Sequence, residues 1–138
     1  MGSDTRPDWD TYYLAGAVWA ATRADCTRAQ VGAILVSREH RTSIGYNGLI
    51  SGVPGCATAG NCPRGQLSVA DVPRDSDYGN CAATHAERNA IERARPEDLP
   101  GATIYTTRAP CPACWTLIRS VGIARVVCPT ARWVLRFS

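Results

Sequence analysis

The sequence predicts an α/β fold: a mixed sheet in three layers, with helices on both faces. Three observations predict it. Val31-Gly32-Ala33-Ile34-Leu35-Val36 and Thr42-Ser43-Ile44-Gly45-Tyr46-Asn47 are two extended runs separated by a short polar stretch, which is the pattern of a β-hairpin. Further along, Thr103 to Thr107 and Ala124 to Cys128 read as strands that alternate with helical segments, an order that favours a sheet covered by helices. An alanine-rich segment before the hairpin adds one more helix. The 138 residues are read as one domain spanning 1–138, long enough for a real core and too short for two ordinary ones.

Taken in order, Trp9 to Arg23 is the first helix, capped by Asp8 or Asp10, with Leu14, Ala17, Val18 and Ala21 recurring at helical spacing. Its aromatics Trp9, Tyr12, Tyr13 and Trp19 are expected to pack in the core rather than to form a platform for stacking bases. The continuous apolar run from Val31 suits a strand buried on both faces, and His40 at the hairpin tip reads as a solvated turn residue. From Gly48 to Asn80 the chain is rich in Gly, Pro, Ser and Asp. A loop of that length in a compact domain calls for a function or a tether, and Cys56, Cys62 and the following Cys81 are candidates for the tether.

Thr84 to Ala94 forms the next helix, ended by Pro96. Thr103-Ile104-Tyr105-Thr106-Thr107 is rich in β-branched residues, as strands are. Pro110 is expected to open a further helix that runs through Trp115, Leu117 and Ile118 and stops at Gly122. The strand Ala124 to Cys128 is closed by Pro129, and Trp133 to Phe137 is too short to classify.

Composition narrows the function. The formal charge is +3, and all 15 Lys and Arg are arginines, spread along the chain rather than clustered. That is a weak footprint for a nucleic-acid binder. No apolar segment follows a basic one at the N-terminus and none approaches the length of a membrane span, so neither a secretory signal nor a membrane partner is expected. A cytoplasmic location follows, where seven cysteines are better explained as metal ligands than as disulfides.

Two motifs carry the chemistry. Thr84-His85-Ala86-Glu87 contains a capping box, Thr-x-x-Glu, which opens many ordinary helices, and Cys111-Pro112-Ala113-Cys114 alone could be half of a zinc knuckle or a redox pair. Together they favour a deaminase-type centre over the bland readings. One His and two Cys give Zn²⁺ three ligands and leave the fourth tetrahedral position to water, as a catalytic zinc requires. A redox pair has no need of His-x-Glu, and a closed structural site has no need of an unligated glutamate. H-x-E followed by P-C-x-x-C is the pattern of zinc nucleobase deaminases, in which the glutamate moves protons. Both motifs fall at predicted helix N-termini, whose partial positive charge favours thiolate at Cys111 and Cys114.

With these segments placed, the chain resembles the deoxycytidylate (dCMP) deaminases of the cytidine deaminase superfamily, from about Trp9 to Val127. The resemblance extends to Trp9-Asp10-x-Tyr12-Tyr13, Cys26-Thr27-Arg28-Ala29-Gln30-Val31-Gly32-Ala33 and Gly45-Tyr46-Asn47-Gly48, followed by Ser51-Gly52. It departs after Cys128, where Pro129-Thr130 stand in place of a tyrosine-containing segment. By that similarity the three layers are those of a cytidine deaminase-like fold. His85, Cys111 and Cys114 hold the catalytic zinc, and Glu87 is the proton shuttle. Asn47 reaches the sugar of the nucleotide, and the backbone amide of Ala86 holds the pyrimidine carbonyl oxygen. The resemblance implies conversion of dCMP to dUMP and ammonia. It also implies a homo-oligomer controlled by dCTP and dTTP, with Gly45, Tyr46, Asn47 and Gly48 near the effector.

Two rival functions are weighed against this one. A deaminase of polynucleotides, acting on tRNA adenosine or single-stranded DNA cytosine, calls for a basic, aromatic-lined track. A non-catalytic, zinc-stabilised interaction module has no use for Glu87. Arg108, just before the second motif, is either a phosphate contact or a solvated charge. Finally, Cys26, Cys56, Cys62 and Cys81 lie in loops or at element ends and match cysteines in a subset of bacterial deoxycytidylate deaminases. They are expected to hold a second, structural zinc, with free buried thiols and disulfides as the alternatives.

Overall fold

The computed structural model describes residues 5–25, 29–48 and 85–135. In order, the elements are α1 (Trp9–Ala21), β1 (Gly32–Val36), β2 (Thr42–Tyr46), α2 (Ala86–Arg93), a 3-10 turn (Pro96–Asp98), β3 (Thr103–Thr106), α3 (Pro112–Ser120), β4 (Arg125–Cys128) and β5 (Ala131–Val134). The five strands form one sheet in the order β2-β1-β3-β4-β5. It is mixed: β3 and β4 run parallel, and the other neighbouring pairs are antiparallel. β5 begins ahead of the stretch from Trp133, which the sequence leaves unclassified, and pairs with β4 across the Pro129-Thr130 turn.

Alternation along the strands builds the three layers. Ile34, Val36, Tyr105 and Val127 face α1, where they meet Tyr13, Ala17 and Ala20. Ala33, Leu35, Ile104 and Val126 point to the other face and pack with Ala86, Ala90 and Ile91 of α2 and Ile118 of α3. Both faces of β1 are covered, as its unbroken apolar run predicts. The helices that carry the two motifs therefore share one face, and α1 lies across the sheet from them.

α1 turns a different side to the sheet from the one expected. Asp8, not Asp10, is its N-cap, with Oδ1 accepting from the Thr11 amide at 2.8 Å. Tyr13, Ala17 and Ala20 are buried, whereas Trp9, Tyr12, Val18 and Trp19 are all more than half exposed. The cause is the close approach of helix and strand at Gly32, where a Cβ would stand 1.9 Å from the Ala17 carbonyl oxygen. Such contact admits only small side chains, so the bulky ones turn outward. The tip residue His40, in the left-handed region at φ 64°, is anchored rather than merely solvated. Its Nδ1 lies 3.0 Å from the Tyr13 hydroxyl, and its ring centroid is 4.7 Å from that of Trp9.

Asp10 has another task. Its carboxylate accepts from the Tyr105 hydroxyl at 2.8 Å and from Arg125 Nη2 at 3.0 Å and forms an ion pair with Arg132 Nε at 3.1 Å, tying α1 to β3, β4 and β5. The Arg125 hydrogen bond, reinforced by Tyr105 and Arg132, holds the Asp10 carboxyl below the usual carboxylate range. A folded-state pKa below the unfolded one gives stability that is present above the unfolded value, about 4, and is lost as pH falls through the folded one. Asp10→Asn is therefore expected to lower Tm at pH 7 and to flatten the fall of Tm with acid below about pH 5. Thermal melts of both proteins from pH 7 to 3 check this, and parallel curves would remove Asp10 from the acid response.

Candidate metal centre and active site

Helix starts place the reactive side chains. α2 begins at Ala86 with His85 as its N-cap, and α3 begins at Pro112 with Cys111 as its N-cap. Proline at the first helical position has no amide to lose and is preset for the helix, so Pro112 rather than Pro110 opens α3. Thr84 lies outside the described residues. With His85 at the cap, Glu87 sits at the second helical position, one short of where a capping-box glutamate belongs. Its carboxyl is committed elsewhere.

His85 Nδ1 is 3.1 Å from Cys114 Sγ and 3.4 Å from Cys111 Sγ. The donor atoms of all three residues lie within 4.8 Å of one another. Zn–N and Zn–S bonds of about 2.0 and 2.3 Å at tetrahedral angles imply edges of roughly 3.5 to 3.8 Å, so a small inward or outward adjustment seats the ion. The donor set fits zinc. Among the described residues the group has three donors, one fewer than a closed four-ligand structural site.

Glu87 is 4% exposed, within hydrogen-bonding reach of Cys114. Burial pushes its carboxyl above the usual range, opposed by that hydrogen bond and by the neighbouring His85 and Arg108. Burial likewise pushes the Cys114 thiol up, and the Glu87 carboxylate beside it adds to the effect. A divalent ion reverses that cost, because metal binding takes the thiolate form. Ala86, wholly buried at the first helical position, has a backbone amide with no acceptor inside its own helix. Arg108 is exposed in the β3–α3 connection, which is fastened by the Thr106 hydroxyl donating to the Arg108 carbonyl oxygen at 2.6 Å.

β2 brings the other residues singled out in the sequence to the same side. Asn47 is buried; its Nδ2 donates to the Ala29 carbonyl at 2.7 Å, and its Oδ1 accepts from the Val31 amide at 2.8 Å. That leaves one amide hydrogen and one lone pair for a ligand. Gly45 lies directly under α2, where a Cβ would stand 2.2 Å from the Ala86 carbonyl oxygen and 2.5 Å from the Ala90 nitrogen. Tyr46 and Gly48 flank Asn47 along the same strand end. Cys26, Cys56, Cys62 and Cys81 lie outside the described residues. The sequence reading missed Asn89, whose Nδ2 donates to the Tyr46 carbonyl at 2.7 Å. A polar residue one turn after His85, with Arg93 one turn further, was the available signal.

A model of the cytidine and deoxycytidylate deaminase zinc-binding region matches residues 7–130. The chain belongs to this deaminase family. As a member it is a hydrolytic deaminase, and its His/Cys/Cys cluster falls within the family's zinc-binding region. A deoxycytidylate deaminase from a Mycobacterium phage is 50% identical over 129 residues, covering 91% of this chain and 97% of that protein. The deoxycytidylate deaminase of Schizosaccharomyces pombe is 35% identical over 127 residues, but the match spans only 38% of its length. Among solved structures, the dCMP deaminase of cyanophage S-TIM5 in complex with dCMP and dUMP aligns with a TM-score of 0.64 at 26% identity, over 89% of this chain and 82% of that one.

Proposed function

We propose that this deaminase converts dCMP to dUMP and ammonia, with zinc held by His85, Cys111 and Cys114 and with Glu87 as the proton carrier. The buried Glu87 carboxyl beside the His85/Cys111/Cys114 donor group is the observation that carries the proposal. Zinc, when bound there, supplies a water of lowered pKa at neutral pH. Glu87 would carry one proton of the attacking water to N3 of the cytosine ring and then the second to the departing amine, which leaves as ammonia. The C4–N bond breaks, a C4–O bond forms, and water in equals ammonia out. Ala86, through its amide, holds the ring carbonyl, and Asn47 holds the sugar with its remaining hydrogen-bonding capacity.

The phage and cyanophage relatives support the nucleotide as substrate. A polynucleotide substrate is less well supported. The exposed aromatics Trp9, Tyr12 and Trp19 lie on α1, across the sheet from the metal helices, and so form no track into the site. Self-association, control by dCTP and dTTP around Gly45–Gly48, and a structural zinc on Cys26, Cys56, Cys62 and Cys81 are parts of the same reading that rest on the family resemblance. Among the described residues no helix is long and apolar enough to cross a membrane.

Ammonia release from dCMP, CMP, deoxycytidine, dCTP and a short single-stranded oligonucleotide tests the substrate. The expected kcat/KM for dCMP exceeds that for deoxycytidine by roughly 10²-fold or more, because a site built for a phosphate leaves buried polar groups unpaired without it. Equal rates on both, or a preference for the oligonucleotide, would overturn the nucleotide reading.

A further inference from the structure

The outer edge of β2 and the metal-bearing helix are joined in a way that the chemistry above does not use. In the β1–β2 hairpin the Ser37 amide bonds the Arg41 carbonyl, and the Asn47 amide bonds the Val31 carbonyl. By the alternation of an antiparallel ladder, residues 41, 43, 45 and 47 turn their backbone groups toward β1, and residues 42, 44 and 46 turn theirs away. Carbonyls at such an edge ordinarily go to water or to another strand. Here α2 reaches over them. Asn89 Nδ2 donates to the Tyr46 oxygen at 2.7 Å and Arg93 Nη1 to the Ile44 oxygen at 3.1 Å, one helical turn apart. The Arg93 guanidinium also stands 5.3 Å over the Tyr46 ring. A third link runs in the opposite sense, from the Ser43 hydroxyl to the Ala90 carbonyl at 2.6 Å.

These three links are not equivalent. Ser43 and Arg93 fasten the middle and end of α2. Asn89, directly before Ala90 in α2, differs in what it joins: its backbone amide donates to the His85 carbonyl at 3.0 Å, and its side chain holds the residue next to Asn47. One residue thus spans the gap between the metal-binding end of α2 and the Asn47 end of β2. Gly45 removes the steric stop that a side chain would provide, leaving the helix start seated on bare backbone.

We propose that Asn89 is a positioning residue for the deamination: by holding the Tyr46 carbonyl it sets the separation of His85 and Glu87 from Asn47. The inference rests on the proposed function, in which the former pair works at the pyrimidine ring and Asn47 at the sugar. A nucleotide gripped at both ends is presented to Glu87 at a distance fixed by that separation. Displacements of about 1 Å at such a site cost on the order of 10²-fold in rate. Because either end still binds when the spacing is wrong, the loss belongs in kcat more than in KM.

The test compares Asn89→Ala with Ser43→Ala, which removes another link between the same two elements. Zinc content, Tm, and kcat and KM on dCMP are measured for both and for the unaltered zinc-loaded protein. Asn89→Asp, which keeps the size but not the donor, is the second variant should Asn89→Ala not accumulate as folded protein. The expected result is full catalytic zinc, a kcat per zinc lowered about 10- to 10²-fold in the Asn89 variants with KM changed far less, and a kcat for Ser43→Ala within about threefold of the original. An unchanged kcat in a folded Asn89 variant, or an equal loss in Ser43→Ala, overturns the positioning role and leaves the proposed function standing. No turnover of dCMP by the unaltered protein overturns the function itself and the inference with it.

Discussion

Glu87→Gln is expected to keep the zinc and to lose at least about 10²- to 10⁴-fold in kcat, the range that general acid–base catalysis supplies. The substitution keeps the volume of a side chain that is 4% exposed, so packing around Ala86, Ala90 and Ile91 survives. It also removes a charge that sits beside Cys114 in a dry environment. Replacing a buried carboxyl by an amide of equal size spares the fold a desolvation cost, so Tm should hold or rise while turnover collapses. That opposition of stability and activity is the mark of a residue kept for chemistry. Near-normal turnover with zinc present would falsify the assigned role.

His85→Ala is expected to lose both the catalytic zinc and the activity. His85 supplies the only nitrogen among the three donors, and its Nδ1 lies 3.1 and 3.4 Å from the two thiol sulfurs. Two thiolates without it make a poor site, and catalytic zinc is normally held by three protein ligands. Elemental analysis of protein purified without chelator should show one zinc fewer per chain in the variant than in the original. If Cys26, Cys56, Cys62 and Cys81 hold a structural zinc, the count falls from two to one; otherwise it falls from one to none. Retention of the full count would remove His85 from the ligand set.

Much of this site could be read before any coordinates, and the reasons are local. His85 and Glu87 are two residues apart at one helix start and Cys111 and Cys114 three apart at another, so short-range spacing alone implied that each pair acts together. The strands were legible because β1 is covered on both faces and reads as an unbroken apolar run. What escaped was set by contacts distant in sequence. The inward face of α1 is chosen by Gly32, whose missing side chain admits Ala17 and turns Trp19 to solvent. Asp10 could pass for a helix cap because Tyr105, Arg125 and Arg132, its actual partners, lie more than ninety residues away. Asn89 lay inside the motif yet its role depends on the carbonyl of Tyr46, which no spacing rule brings beside it.

The central claim is that one centre, made by His85, Cys111, Cys114 and Glu87, deaminates dCMP with the help of zinc. Protein stripped of metal by a chelator and then titrated with zinc, with dUMP and ammonia measured together, tests it most directly. The account predicts no product without metal, recovery of turnover that saturates as the His85 site fills, and dUMP and ammonia formed in equal amounts. Full activity in metal-free protein, or no dUMP at any zinc loading, would contradict it.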